Sequence, residues 1–133
     1  RYRAEGWEAD DAMASIADAA VAAAFNEVLL LTADHDLLGM ASDQVAVLRP
    51  RVGGGIDRYG PSDVAERSPY RVPPALVADV KALIGDATDG YGGVRGIGPS
   101  VGPDLVRRFG SLAALYDRIE EVEAVRVRNA AAR

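Results

Sequence analysis

Gly93-Val94-Arg95-Gly96-Ile97-Gly98-Pro99-Ser100 is the stretch that decides the fold. A glycine–apolar–glycine turn between two apolar helices lets the backbone come close to something large, because glycine has no Cβ and takes positive φ readily. A helix over 99–109 would start with bare amides and the positive end of its dipole, and the two together bind phosphate. A lone Gly96-Ile97-Gly98 is weak. Here Ala82-Leu83-Ile84-Gly85-Asp86-Ala87-Thr88-Asp89 precedes it and Phe109-Gly110-Ser111-Leu112 follows, and the combination is a strong signal.

On the C-terminal side, Leu105, Val106 and Phe109 are expected to face a core. Ser111 is expected to cap a last helix with Leu112, Leu115, Tyr116 and Ile119 inward. On the N-terminal side, Val72-Pro73-Pro74 opens a helix that runs to about Ile84 and buries Leu76, Val77, Val80, Leu83 and Ile84. Between them the loop over 85–98 holds six glycines, with Tyr91 as an aromatic candidate for a nucleic-acid contact.

Further upstream the pattern changes to α/β. Residues 8–25 place Ala9, Ala12, Met13, Ile16, Ala17, Ala20, Val21 and Ala24 at helical spacing, without proline or glycine. So many alanines imply close packing on a sheet. Glu27-Val28-Leu29-Leu30-Leu31-Thr32 fits a buried parallel strand. Ala33-Asp34-His35-Asp36 then falls at the carboxyl end of that strand, where open α/β sheets keep their sites. Val45 to Leu48 is a second strand, Ile56 to Tyr59 a short third, and 60–67 a short helix. The expected organisation is an α/β part over 1–72, a helical element over 73–123 and an Ala/Arg-rich tail over 124–133.

Composition narrows the function. The 133 residues include no cysteine, which excludes disulfides, thiolate metal sites and a cysteine nucleophile. No apolar run approaches the ~20 residues of a membrane span. The net charge is −5, weak grounds against a nucleic-acid partner when acids and bases are segregated. Arg49, Arg51, Arg58, Arg67 and Arg71 form one basic stretch, and Arg95, Arg107 and Arg108 another. Lys81, the single lysine, reads as compositional bias. Arg49 and Arg51 read as solvated charges, Trp7 as core, and His35 as a packing or solvent-facing residue rather than a ligand.

The acids fall in three clusters: Glu8, Asp10 and Asp11; Asp34 and Asp36; Asp86 and Asp89. Each has a plain structural explanation when taken singly, since acids favour the first turn of a helix. Asp86 and Asp89 would share a face only if their turn were helical. Together they form a hard all-oxygen donor set without His or Cys, which suits Mg²⁺ or Mn²⁺. Two such ions about 3.5–4 Å apart are the two-metal device for phosphodiester cleavage.

Read in order, these words resemble the 5′-nuclease family, which comprises the 5′→3′ exonuclease domain of bacterial DNA polymerase I and the flap endonucleases. The matching words are Gly6-Trp7-Glu8-Ala9-Asp10-Asp11, Leu31-Thr32-Ala33-Asp34-His35-Asp36-Leu37-Leu38, Val45 to Pro50, Gly85-Asp86-Ala87-Thr88-Asp89, Gly93 to Gly98 and Phe109 to Leu115. The resemblance implies a PIN-like partial parallel sheet with flanking helices, plus a helix–three-turn–helix element. It implies cleavage of 5′ flaps or 5′ ends in branched or nicked duplex DNA, in the cytoplasm of a bacterium, on two Mg²⁺ or Mn²⁺ ions. It makes Glu8, Asp10, Asp11, Asp34, Asp36, Asp86 and Asp89 the metal-binding carboxylates. It makes Val94, Arg95, Gly96, Ile97, Gly98, Pro99 and Ser100 the turn that grips duplex phosphates, with a K⁺ ion on its backbone carbonyls.

Three departures qualify the match. The family's upstream aspartates and helical arch have no counterpart here, so the chain is expected to be the C-terminal portion of the nuclease, with a partner in the missing N-terminal half or in an attached polymerase domain. Ser100 stands where a lysine is usual, which removes one phosphate contact. Gly90 and Gly92 replace the usual Asn and Pro, which loosens the loop after Asp89. Two other classes compete: a non-catalytic duplex-DNA-binding module, and a Mg²⁺-dependent phosphatase in which the glycine turn would have no task.

Overall fold

The alanine-rich run without proline or glycine forms α1 (Ala9–Ala22). A computed structural model describes residues 5–122, and the tail expected over 124–133 lies outside them. The chain divides into two compact units, Arg1–Val77 and Ala78–Arg133. In the first unit, the Asp11 carboxylate accepts the Glu8 N–H at 3.1 Å and satisfies an amide at the helix start. Ala17 is fully buried with Leu30, Leu37 and Val45, and Met13, Ala14 and Val21 pack around them. Ile16, expected in the same stripe, is 52% exposed, so the buried face is narrower than the spacing implied.

The sheet of this unit runs β1 (Val28–Leu31), β2 (Val45–Pro50), β3 (Ile56–Tyr59) in sequence order. β1 lies parallel to β2, with Val28 opposite Val45. β2 lies antiparallel to β3, with Val47 opposite Tyr59. The partial parallel sheet is therefore one parallel pair with an antiparallel strand added. β1 is not buried as a whole: Leu30 is, but Leu29 is 50% and Leu31 58% exposed. A short apolar run does not reveal whether a strand is covered on one face or two. Asp36–Met40 and Pro74–Leu76 form 3₁₀ turns. Pro61 starts α2 (Pro61–Arg67), where the Asp63 carboxylate accepts the Gly60 N–H at 3.0 Å and pairs with Arg67 at 2.8 Å.

The second unit carries α3 (Val77–Ile84), α4 (Val101–Phe109) and α5 (Leu112–Asp117). The helix expected from 72 begins instead as the 3₁₀ turn before Val77. The glycine loop contains a two-stranded hairpin, β4 (Gly85–Asp86) against β5 (Tyr91–Gly92). Two glycines make it possible. A Cβ on Gly85 would lie 2.2 Å from the Gly93 nitrogen, and one on Gly93 would lie 2.2 Å from the Ile84 carbonyl carbon. Gly110 ends α4 in the left-handed region at φ 87°. Ser111 Oγ accepts the Ala114 N–H at 3.0 Å, as its capping position predicts. The Leu112 N–H donates to Asp79 at 2.9 Å, which ties α5 to α3. Leu105, Val106, Phe109 and Leu115 are buried as expected, whereas Tyr116 and Ile119 are exposed rather than inward. Among the described residues no helix is long and apolar enough to cross a membrane.

Candidate metal centre and nucleic-acid interface

In the first unit, the start of α1 and the end of β1 bring two carboxylate clusters together. Burial pushes the Asp10 carboxyl above its ordinary value, and the charges of Asp34, Asp36, Glu8 and Asp11 push it further. Five acids that are distant in sequence thus share one electrostatic neighbourhood. The loop that carries two of them is shaped locally. The Thr32 N–H closes the parallel ladder on the Leu48 carbonyl at 3.0 Å. The Asp34 N–H then donates to Thr32 Oγ1 at 3.0 Å, and the Asp36 N–H to Asp34 Oδ1 at 3.1 Å. All the donors are hard oxygens that repel one another, and such a set fits a divalent cation of the Mg²⁺ class.

In the second unit, Asp86 and Asp89 do not lie on a helix. Asp86 is in β4, and its Oδ1 accepts the Thr88 N–H at 2.8 Å and the Asp89 N–H at 3.4 Å. Both carboxylates meet Lys81 Nζ, Asp86 at 2.9 Å and Asp89 at 3.4 Å. Lys81 is buried, and its ammonium, aided by the Thr88 N–H, holds the Asp86 carboxyl down at about 2. Asp86 is therefore ionised at neutral pH, the state a metal ligand needs. Composition gave no sign of this role: one lysine among many arginines carries no spacing signal. The signal available was its place, five residues before Asp86 on the apolar helix.

The glycine turn sits between β5 and α4. Gly96 has φ +84°, which accounts for a glycine there. Gly98 has no such constraint, and a Cβ on it would meet nothing within 4 Å, so its missing side chain leaves open space. α4 starts at Val101, not Pro99. The Val101 and Gly102 amides both donate to the Gly98 carbonyl at 2.9 Å, so two amides expected to be bare are engaged. Ile97 is buried, while Val94, Arg95, Gly96, Pro99 and Ser100 are exposed.

Trp7 and Arg49 are placed differently from their sequence reading, whereas His35 packs and Arg51 stays exposed as expected. Trp7 is 69% exposed and is not core. The His35 ring meets Tyr70 edge-on at 6.1 Å. Arg49 is not a plain solvated charge, because its Nη2 donates to the Ala33 carbonyl at 2.5 Å. Arg51 pairs with Asp57 at 3.7 Å.

An α/β unit with carboxylates around its strand end, joined in one chain to a helical unit with an acid hairpin and a glycine turn, is the 5′-exonuclease class of fold. Residues 72–132 match the family described as 5′-3′ exonuclease, C-terminal SAM fold. The chain is 38% identical over 118 residues to DNA polymerase I of Mycobacterium leprae, covering 88% of this chain and 13% of the relative. It is 38% identical over 128 residues to a thermostable DNA polymerase I of Thermus thermophilus, covering 96% of this chain and 14% of the relative. A bacteriophage T5 protein co-crystallised with metal ions superposes with a TM-score of 0.74 at 27% identity, covering 87% of this chain and 42% of that one. A T5 flap endonuclease in a pseudo-enzyme–product complex with DNA and metal ions gives a TM-score of 0.75 at 26% identity, covering 87% and 41%. Residues 72–132 thus carry the C-terminal fold of the 5′-3′ exonuclease family, and the chain as a whole is similar to the polymerase and T5 proteins. It spans about one-seventh of the length of the polymerase relatives it matches.

Proposed function

We propose that this chain is part of a structure-selective 5′→3′ exonuclease and flap endonuclease, the part that carries most of the metal-binding carboxylates and the duplex-gripping turn. The observation that carries the reading is the placement of Asp10, partly buried within reach of the charges of Asp34 and Asp36 as well as of Glu8 and Asp11, acids of two separate sequence clusters. Glu8, Asp10, Asp11, Asp34 and Asp36 in one unit and Asp86 and Asp89 in the other are the ligands. The ions are Mg²⁺ or Mn²⁺. Divalent cations on such carboxylates supply a deprotonated water and stabilise the leaving oxygen. The protein's own contribution is to orient the acids: Lys81 holds Asp86 and Asp89, and the loop hydrogen bonds hold Asp34 and Asp36. Val94 to Ser100 contact the sugar–phosphate backbone, with the open face at Gly98 as the point of approach and K⁺ on the backbone carbonyls. The substrate is branched or nicked duplex DNA with a 5′ end or flap, and the polymerase relatives favour an attached polymerase domain.

The test is cleavage of a 5′-flap duplex with Mg²⁺ by the full-length protein, compared with Asp34→Ala and Asp89→Ala. Loss of at least about 100-fold in rate is expected for each, as for removal of a ligand or its support. A wild type that cuts no better than the variants overturns the reading. Duplex binding with no metal-dependent cleavage would favour a non-catalytic binding module instead.

A further inference from the structure

The geometry points to Arg49 as a positioning residue for the Asp34–Asp36 loop, an inference that rests on the metal-binding reading above. Arg49 lies near the end of β2, opposite Asp57 in the antiparallel register. A cross-strand acid is the expected partner of an arginine there. Asp57 instead lies 3.7 Å from Arg51. The Arg49 side chain reaches the other way, past the end of β1, and donates from Nη2 to the Ala33 carbonyl at 2.5 Å.

That carbonyl is at the point where the chain leaves the sheet. The last ladder bond is from the Thr32 N–H to the Leu48 carbonyl. Beyond it, the bonds from Asp34 to Thr32 and from Asp36 to Asp34 set the shape of the loop but not its position against β2. The Arg49–Ala33 bond ties the loop to β2, one residue before Asp34. Arg49 Nε is buried without a hydrogen-bond partner among the described residues. A buried, unsatisfied N–H is unfavourable, and a freely solvated arginine would turn it to water. The side chain is thus held in a costly place that fixes the loop. Its role is to keep two carboxylates at the spacing a cation requires, through the backbone and without touching the cation.

Mn²⁺ binding to the full-length protein, followed by the loss of the free-ion EPR signal, tests this apart from catalysis. Arg49→Met should weaken Mn²⁺ binding by about tenfold or more, the scale seen for residues that orient metal ligands. Arg49→Lys, which keeps a charged donor, should recover most of the loss. Arg51→Met, two residues further on and paired with Asp57, should stay within about twofold of wild type. If Arg49→Met does not fold, Arg49→Gln takes its place. A folded Met or Gln variant with wild-type Mn²⁺ affinity overturns the positioning role and leaves the metal reading intact. A wild type that binds no Mn²⁺ overturns both.

Discussion

Lys81 Nζ lies 2.9 Å from Asp86 Oδ2, so the last turns of α3 and the first strand of the hairpin are pinned by one buried ammonium. The pair also explains how a two-residue strand with a glycine-rich tip keeps its acids in place. Asp86 Oδ1 accepts two backbone N–H groups and Oδ2 meets Lys81, which leaves Oδ2 a second lone pair for a cation.

Lys81→Met should therefore loosen the hairpin more than its volume change implies. It leaves Asp86 ionised without its partner, so the melting temperature should fall by about 4–8 °C. Combining it with Asp86→Asn should cost less than the sum of the two single changes, because the residues act as one unit. Thermal melts of the four proteins measure this coupling. Strict additivity would show that the pair contributes nothing.

The first-unit acids should behave in the opposite way. Asp10 is partly buried and lies among like charges, so Asp10→Asn removes both a desolvation cost and a repulsion that the metal-free protein carries. We expect the melting temperature without metal to rise by roughly 2–4 °C. With Mn²⁺ present the order should reverse, since wild type gains stability by binding and the variant does not. Melting curves with and without Mn²⁺ check both signs.

Gly96 and Gly98 are glycines for different reasons, and substitutions should separate them. Gly96→Ala places a side chain at φ +84° and should cost about 1–2 kcal/mol of stability. Gly98→Val puts its methyl groups into open space and should change stability by no more than about 0.5 kcal/mol. Duplex binding without metal should nevertheless be lost in Gly98→Val, because the branched side chain stands where the backbone must approach. Denaturant melts paired with fluorescence-anisotropy binding distinguish strain from obstruction.

The start of α2 gives a pH-dependent prediction. The Gly60 N–H, and then Arg67, hold the Asp63 carboxyl below its ordinary value of 3.8. A carboxyl with a lowered folded pKa stabilises the protein above its unfolded value. That stability is lost as the pH falls through the lower folded value. Asp63→Asn should thus be less stable than wild type at pH 7, and the gap should close as the pH drops below about 3.8. Equilibrium unfolding at pH 7, 4 and 3 follows the gap, and a difference that does not change with pH would remove the capping role.

Much of the fold was legible because its causes are local. Helical spacing marked α1, α3 and α4, Ser111 announced its cap, and Gly-Ile-Gly announced the turn. What was illegible depended on neighbours. Leu29, Leu31, Ile16, Tyr116 and Ile119 are apolar at plausible core positions, yet no residue type states how many of its faces will be covered. Trp7 failed in the same way. The hairpin at Gly85 to Gly92 was missed because it needs Gly85 and Gly93 to touch, and such a contact has no periodicity.

The sequence by itself determined the kinds of atom available: hard oxygens in three clusters, no sulfur, and glycines at the turn. The order of those words also determined the family, because each reflects a local chemical need that survives in one dimension. The tertiary structure decided which groups act on each other. Lys81 became the partner of two acids, Arg49 the support of a loop, and Asp10 a strained member of a five-carboxylate neighbourhood. Distances between residues far apart in the chain are set by strand pairing and packing, and no single residue encodes them.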